Sequence, residues 1–187
     1  MQPFQTLEVR WFKFGLIPDS TRRWFENDCP GEPIGAIEQR ADLYFKTPGS
    51  DTVNLKLRSG RLELKWRSAF LGVGRWGEWE GNVERWLKWS YSDLGTDNLP
   101  LSDEGIWVKK RRSQRRYDSV ACELTQLEAK GRCGWSIAFE MPETEDGDRD
   151  RFESVLRQIA QTHPSFSFNA EQSFSYVQWL QQMHILN

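Results

Sequence analysis

The sequence predicts an α+β, mainly β fold, in which roughly eight antiparallel strands form a barrel (a tunnel) with a polar interior and helices packed outside. Three observations lead to this prediction. Short segments of alternating polar and apolar residues recur along the chain, and successive side chains of a strand point to opposite faces. Glycine and proline separate these segments, as expected of turns. Nearly every segment offers one charged face, which is typical of a polar-lined barrel.

The clearest pair of strands lies on either side of Ser59-Gly60, a step that supplies the positive φ angles of a short hairpin turn. In both strands one face is apolar and the other is almost wholly cationic, so an amphipathic surface sheet and an anion-binding surface are both compatible with the pattern. Repetition of the pattern favours the second reading. The eight predicted strands are residues 7–14, 37–45, 53–58, 61–67, 83–91, 107–117, 120–128 and 135–141.

Three helices are predicted outside these strands. Asp19 or Ser20 caps a short helix that continues to Phe25. Residues 149–162 carry apolar side chains at helical spacing and end before His163-Pro164. Ser173 caps a last helix, in which Tyr176, Trp179, Leu180 and Met183 form one apolar stripe.

The 187 residues are consistent with one domain, residues 1–187, that is long enough to bury a core. The net charge of −2 does not demand a nucleic-acid partner, but the charge is unevenly distributed. Residues 54–116 contain 14 Lys and Arg against 8 Asp and Glu, whereas residues 117–187 contain 5 against 11. The basic half coincides with the alternating strands, which favours an anionic partner for one surface.

Several classes of protein are disfavoured. The chain has no secretory signal pattern and no apolar run long enough to span a membrane, and three cysteines without CxxC spacing indicate a reduced, cytoplasmic protein. Two isolated histidines, His163 and His184, do not suggest a metal site or a catalytic triad. A nucleophile elbow and a glycine-rich phosphate loop are also missing from the sequence. Any anion chemistry therefore depends on side chains of the strands.

The order of strand motifs resembles the CYTH, or triphosphate tunnel, superfamily over nearly the whole chain. Asp42-Leu-Tyr-Phe45 before Thr47-Pro48, Leu55-Lys-Leu-Arg58, and Leu62-Glu-Leu-Lys65 are similar to three consecutive strand motifs of the family. The segment 109–117 resembles its later Lys-x-Arg strand, 135–140 its Glu-Ile-Glu strand, and 173–180 its C-terminal Ser-Tyr helix. The resemblance implies a barrel in which basic residues hold a triphosphate and glutamates hold a divalent metal ion that activates water.

The acidic motifs depart from the family pattern. Where the family has Glu-x-Glu-x-Lys on its first strand, this chain has Glu8, Arg10 and Phe12. Ala138 replaces one glutamate of the Glu-Ile-Glu strand and leaves Glu140. Mg²⁺ and Mn²⁺ require hard oxygen ligands, and each lost carboxylate weakens such a site.

The leading hypothesis is a barrel that binds a phosphorylated, triphosphate-type small molecule or polyphosphate. The residues expected to contact its phosphates are Arg10, Lys56, Arg58, Lys65, Arg67, Lys109 and Arg111. If the protein is a metal-dependent triphosphatase, Glu8 and Glu140 are the expected catalytic residues. The expected ligands of Mg²⁺ or Mn²⁺ are then Glu8, Glu63, Glu84 and Glu140.

Three alternatives remain open at this point. A non-catalytic phosphate sensor is favoured by Arg10 and Ala138, which stand where the family has acids. A lipocalin-like carrier would need an apolar interior, and an RNA-binding surface would use the exterior of residues 109–116. The slightly negative net charge makes a nucleic-acid partner the weakest of these expectations.

Overall fold

The computed structural model describes residues 3–47, 49–91, 105–163 and 167–183. Pro48, Pro164 and His184, named above, lie outside these ranges. Within them the chain forms nine strands, which are β1 (Phe4–Phe14), β2 (Glu32–Pro33), β3 (Glu38–Phe45), β4 (Val53–Arg58), β5 (Arg61–Trp76), β6 (Trp79–Tyr91), β7 (Gly105–Tyr117), β8 (Val120–Ala129) and β9 (Arg132–Pro142). The α-helices of this part of the chain are α1 (Asp19–Arg23), α2 (Asp148–Thr162) and α3 (Tyr176–Gln182).

Eight of the described strands close into an antiparallel barrel. Their order is β7-β3-β4-β5-β6-β1-β9-β8, and β8 pairs again with β7 to complete the ring. The short β2 pairs only with the end of β7 and stays outside the ring. The fold class predicted from the sequence, a mainly β barrel of about eight antiparallel strands with packed helices, is therefore confirmed.

The β4–β5 hairpin forms where the sequence placed it. Ser59 and Gly60 both have positive φ angles, of 47° and 76°, and Arg58 lies opposite Arg61 at the turn. This register fixes which face every other residue of the two strands takes. It turns Asn54, Lys56 and Arg58 to one side of the sheet and the leucines to the other.

The barrel carries its main apolar core on its outer surface. On β1, Leu7, Val9 and Trp11 are buried beneath the apolar face of α2, while Glu8 and Arg10 point the opposite way into the barrel. Five tryptophans belong to this outer cluster, and Trp11 makes edge-to-face contacts with Trp76 and Trp79. Such rings bury large apolar areas, which compensates for the modest apolar content of the chain.

A second apolar cluster fills one end of the barrel interior. Phe12 continues the inward face of Glu8 and Arg10, and it stacks on Trp179 of α3 with ring centroids 5.6 Å apart. Tyr44, Ile106 and other apolar side chains complete this cluster with Leu180 and Met183. The barrel is therefore a cup with an apolar floor, covered by α3, rather than a tunnel that is polar throughout.

The ends of two helices differ from the predictions. α3 begins at Tyr176 and is capped by Ser175, which forms a capping box with Gln178, whereas Ser173 instead accepts a hydrogen bond from the Asn82 amide. Regular α1 ends at Arg23, and a π-helical turn follows from Trp24 to Asp28. α2 begins one residue earlier than predicted. None of the helices in the described ranges is both long and apolar enough to cross a membrane.

Candidate functional site

A polar cavity of about 240 Å³ occupies the barrel interior beyond the apolar floor. Among the described residues, eight basic side chains line it, against four acidic ones. The basic side chains are Arg10, Arg40, Lys56, Arg58, Lys65, Lys88, Lys110 and Arg112, and the acidic ones are Glu8, Glu63, Glu123 and Glu140. This charged lining excludes the lipocalin-like alternative, which requires an apolar interior.

Asp42 of β3 is the centre of the most cationic part of the cavity. Its carboxylate is fully buried, and four cationic side chains of the described chain reach it. Arg58 donates two hydrogen bonds, of 3.2 and 3.1 Å, and the nitrogens of Lys110 and Arg40 lie 3.1 and 3.2 Å from carboxylate oxygens. Lys56 is more distant, at 3.8 Å.

A second carboxylate, Glu63 of β5, shares two of these cations. It lies 3.1 Å from Lys56, 3.5 Å from Arg58 and 3.7 Å from Lys88. We call the five basic residues Arg40, Lys56, Arg58, Lys88 and Lys110 the cationic group. Among the described residues, three carboxylates contact this group, because Glu38 pairs with Arg40 in addition to Asp42 and Glu63. The five basic side chains still outnumber these acidic partners.

The pKa values of this group distinguish its lysines from Arg58 and Asp42. Burial, and then the charge of Arg58, lowers the pKa of Lys56 to about 8. Burial and Lys56 lower the pKa of Lys110 well below its usual range. Burial alone would raise the pKa of Asp42, but Lys110, Arg58 and Lys56 together hold it far below normal. The charged forms of Asp42 and Arg58 are therefore stabilised, since burial acts to lower the pKa of Arg58 but Asp42 and Glu63 raise it. The charged forms of the two lysines are destabilised, mainly by burial and also by neighbouring bases.

Lys110 lies at the inner end of the cationic group, against the apolar floor. Its ammonium donates to the Tyr44 hydroxyl at 2.7 Å and lies 3.9 Å from the centroid of the Tyr176 ring. Its side chain is only 2% exposed. At the other end of the cavity the side chain of Lys88 is 33% exposed, so the cationic group extends from the apolar floor towards solvent.

The remaining charges of the cavity are balanced. We call Glu8, Arg10, Lys65, Arg112, Glu123 and Glu140 the balanced group. Arg10 donates to Glu123 at 2.9 Å and to Glu8 at 3.2 Å, and Arg112 donates to Glu123 at 3.1 Å. Lys65 donates to Glu8 and lies 3.6 Å from Glu140. Burial alone would raise the pKa of Glu123, but Arg10 and Arg112 hold it well below its usual range.

The structure places four predicted phosphate ligands together in the cavity, namely Arg10, Lys56, Arg58 and Lys65. Arg67 also points inward, but its guanidinium is committed to Glu84 at 2.5 Å.

The placement of Lys109 and Arg111 corrects the prediction for β7. Both side chains are exposed on the outer face, and Lys109 pairs there with Glu128. Their neighbours Lys110 and Arg112 take the inner face instead. The prediction rested on the resemblance of this segment to the Lys-x-Arg strand of the family, and it was wrong by one residue. Trp107, on the same face as Lys109 and Arg111, is 57% exposed.

Sequence reasoning also missed Arg40, Lys88 and Glu123 as residues of the cavity. Arg40 had a readable signal, because it alternates with Asp42 and Tyr44 on one face of β3. The signal for Glu123 was weaker, since other polar residues of β8 matched the expected position of an acidic residue equally well. Lys88 lay on the predicted charged face of its strand, but no motif distinguished it.

The four glutamates predicted to hold a metal ion all point into the barrel, and each is already paired with a basic side chain. Glu8 pairs with Arg10 and Lys65, Glu84 with Arg67, and Glu140 with Lys65. Glu63 pairs within the cationic group, as described above. Within the described ranges, no group of three acidic, histidine or cysteine side chains is placed to hold a metal ion. As arranged, these residues do not fit Mg²⁺ or Mn²⁺.

Comparisons with known proteins bear on the fold alone. No protein-family model and no curated protein matches the chain. The chain is similar to the PH1819 protein of Pyrococcus horikoshii OT3, with 15% identity, a TM-score of 0.58, and coverage of 95% of this chain and 99% of that one. A conserved hypothetical protein of Pyrococcus furiosus has 14% identity and a TM-score of 0.54, with coverage of 92% and 98%.

A third similar structure is the PH1012 protein of Pyrococcus horikoshii OT3, with 19% identity and a TM-score of 0.52 over 91% of this chain and 98% of that one. At these identities the likeness shows a shared barrel fold over nearly the full length of each chain. It does not extend to ligands or activity.

Proposed function

We propose that this barrel binds a small, multiply charged anion of the phosphate or polyphosphate type in its interior cavity. The observation that carries the proposal is the cationic group, in which five basic side chains face three carboxylates, those of Asp42, Glu63 and Glu38, around the cavity. Buried charges are costly unless they are paired. The basic side chains outnumber these carboxylates, and a bound anion would supply further counter-charge.

The types of basic residue favour phosphate oxygens. Arginine offers a planar fork of donors that can bind two oxygens at once, and lysine offers a compact point charge. Arg40 and Arg58 lie beside Lys56 and Lys110 around one carboxylate, so donors of both kinds converge. The resemblance to the triphosphate tunnel superfamily supports the same ligand class.

The proposal is binding rather than hydrolysis. Metal-assisted attack of water requires carboxylates that are free to hold the ion, and those of this cavity are engaged with basic side chains. Binding without hydrolysis corresponds to the hypothesis of a non-catalytic phosphate sensor. A localisation in the cytoplasm stays a prediction from the cysteine content.

The proposal is tested by calorimetric titration with tripolyphosphate. The comparison is between the wild type, Arg58→Ala in the cationic group, and Arg111→Ala on the outer face as the matched control. Binding that is weakened by the first substitution and unchanged by the second supports the cavity. Binding that is equally weakened by both, or absent from the wild type, contradicts it.

A further inference from the structure

Three glutamates occupy directly opposed positions on three adjacent strands. Glu8 of β1 lies opposite Glu84 of β6 on one side and opposite Glu140 of β9 on the other. Side chains at opposed positions are neighbours, and like charges there repel each other. We call these three residues the carboxylate row. Cations must therefore lie close to the row to offset the repulsion between its carboxylates.

The protein supplies the cations itself. One oxygen of Glu8 accepts from Arg10 and the other from Lys65. One oxygen of Glu84 accepts from Arg67, and the other accepts from the Trp86 indole at 2.9 Å. Every oxygen of these two carboxylates is therefore engaged by a donor of the barrel, and three of the four donors belong to basic side chains.

Lys65 has a particular place among these donors. Its ammonium bridges the row, because it contacts Glu8 and lies 3.6 Å from the Glu140 carboxylate. Burial acts to lower the pKa of Lys65, but Glu140 and Glu8 raise it above its usual value. The charged form of Lys65 is thus stabilised between two acids that face each other across β1 and β9.

We infer that Lys65 is the built-in countercation of the carboxylate row, that it takes the place a divalent metal ion would need there, and that the barrel binds its anion without metal. A divalent ion requires several carboxylate oxygens at short range. The Lys65 ammonium lies between Glu140 and the Glu8 oxygen that Arg10 does not use, and its charge repels a second cation from that place. The statement about the anion rests on the proposed function, whereas the statement about the row does not.

The role of Lys65 is tested by titrating Mn²⁺ without any anion and measuring bound Mn²⁺ by electron paramagnetic resonance. The wild type is expected to bind no Mn²⁺ at micromolar concentrations. Lys65→Met removes the bridging charge but keeps the length of the side chain, and it is expected to bind about one Mn²⁺ per chain. Lys65→Arg restores a cation and is expected to bind none. Circular dichroism checks that each variant is folded.

Two results overturn the inference. One is a wild type that binds Mn²⁺ and loses it in Glu8→Gln, since the row would then hold metal despite Lys65. The other is a folded Lys65→Met that binds no Mn²⁺. If Lys65→Met does not fold, Lys65→Gln replaces it in the same titration. The titration of the wild type by itself decides whether the carboxylate row holds metal.

A second measurement separates this inference from the proposed function. Thermal melting is followed with tripolyphosphate in the presence of EDTA and, separately, of Mn²⁺. Equal protection in both conditions supports metal-free binding. Protection that appears only with Mn²⁺ overturns the inference and leaves anion binding in place. Protection in neither condition contradicts the proposed function, and the Mn²⁺ titration without anion still decides the role of Lys65.

Discussion

The guanidinium of Arg58 on β4 donates two hydrogen bonds, of 3.2 and 3.1 Å, to the carboxylate of Asp42 on the adjacent strand β3, and both side chains lie in the barrel interior. The same carboxylate also lies within 3.8 Å of the charged groups of Arg40, Lys56 and Lys110. One buried carboxylate is therefore the shared ion-pair partner of four basic side chains. The stability of the barrel and its affinity for anions should respond in opposite directions to changes in this cluster.

Replacing Asp42 by asparagine should destabilise the protein strongly. The substitution keeps the size of the side chain but leaves four buried cations without their shared counter-charge, and breaking a buried pair in this way costs about 3–5 kcal/mol. Urea unfolding measures the loss. Glu128→Gln is the control, because it breaks the exposed pair with Lys109 and should cost at most about 1 kcal/mol.

The same variant should respond more strongly to an added anion than the wild type does, because the anion then replaces the missing carboxylate. The measurement is the rise in melting temperature at one concentration of tripolyphosphate. A smaller rise in Asp42→Asn than in the wild type would show that the anion does not contact this cluster.

Replacing Arg58 by alanine should weaken anion binding by roughly 1.5–3 kcal/mol, or about ten- to a hundredfold, the scale of hydrogen bonds to charged groups. The unfolding free energy should change little, because Asp42 keeps three cationic partners and the remaining bases repel each other less. Paired melts with and without tripolyphosphate measure both effects. A large loss of stability with full ligand protection would assign Arg58 a structural role instead.

Anion affinity should fall as the pH rises through about 8. Burial and Arg58 lower the pKa of Lys56 to about 8 in the free protein, and a bound anion stabilises the protonated form. Above this pH, binding must also protonate Lys56, so the dissociation constant rises by up to about tenfold per pH unit. Titrations at pH 7 and pH 9 measure the change.

Lys56→Met is the control for the pH dependence, because it removes the titrating group and leaves the titration of the anion itself unaltered. The ratio of wild-type to variant affinity should be larger at pH 7 than at pH 9. A ratio that does not depend on pH would mean that Lys56 keeps its charge throughout or does not contact the anion.

The outer core should tolerate no added methyl group at Gly81. A Cβ atom at this position would lie 2.4 Å from the ring of Trp11 and 2.6 Å from a methyl carbon of Val9, and overpacking of this kind costs about 1–3 kcal/mol. Urea unfolding of Gly81→Ala measures the cost. Ser68→Ala, at an exposed position on the neighbouring strand, should remain within about 0.5 kcal/mol of the wild type.

The sequence predicted the parts of the fold that depend on local alternation. The β4–β5 hairpin follows from Ser59-Gly60 and from the alternation of Lys56 and Arg58 with leucines, and it placed these two basic residues correctly in the interior. The prediction of which β7 residues face inward was wrong by one residue, because this barrel has apolar side chains on both faces. Trp107 stays exposed while Val108 is buried, and alternation alone cannot distinguish the two faces.

The charge pattern of the cavity depends on contacts between strands, which the sequence does not reveal. Asp42 gathers its cations from β3, β4 and β7, and segments so far apart in the chain give no local sign of meeting. The same holds for Lys65, whose contact with Glu8 joins β5 to β1 across the interior. Residue types predicted a cationic barrel, whereas the separation into cationic and balanced groups required the structure.

Metal-free binding of an anion inside the barrel is tested most directly by calorimetric titration with tripolyphosphate in EDTA at pH 7. The proteins compared are the wild type, Arg58→Ala and Arg111→Ala. We expect saturable binding to the wild type, a loss of about ten- to a hundredfold in Arg58→Ala, and unchanged binding in Arg111→Ala. Wild-type binding that disappears in EDTA, or that depends on Arg111 as much as on Arg58, would contradict a metal-free anion site inside the barrel.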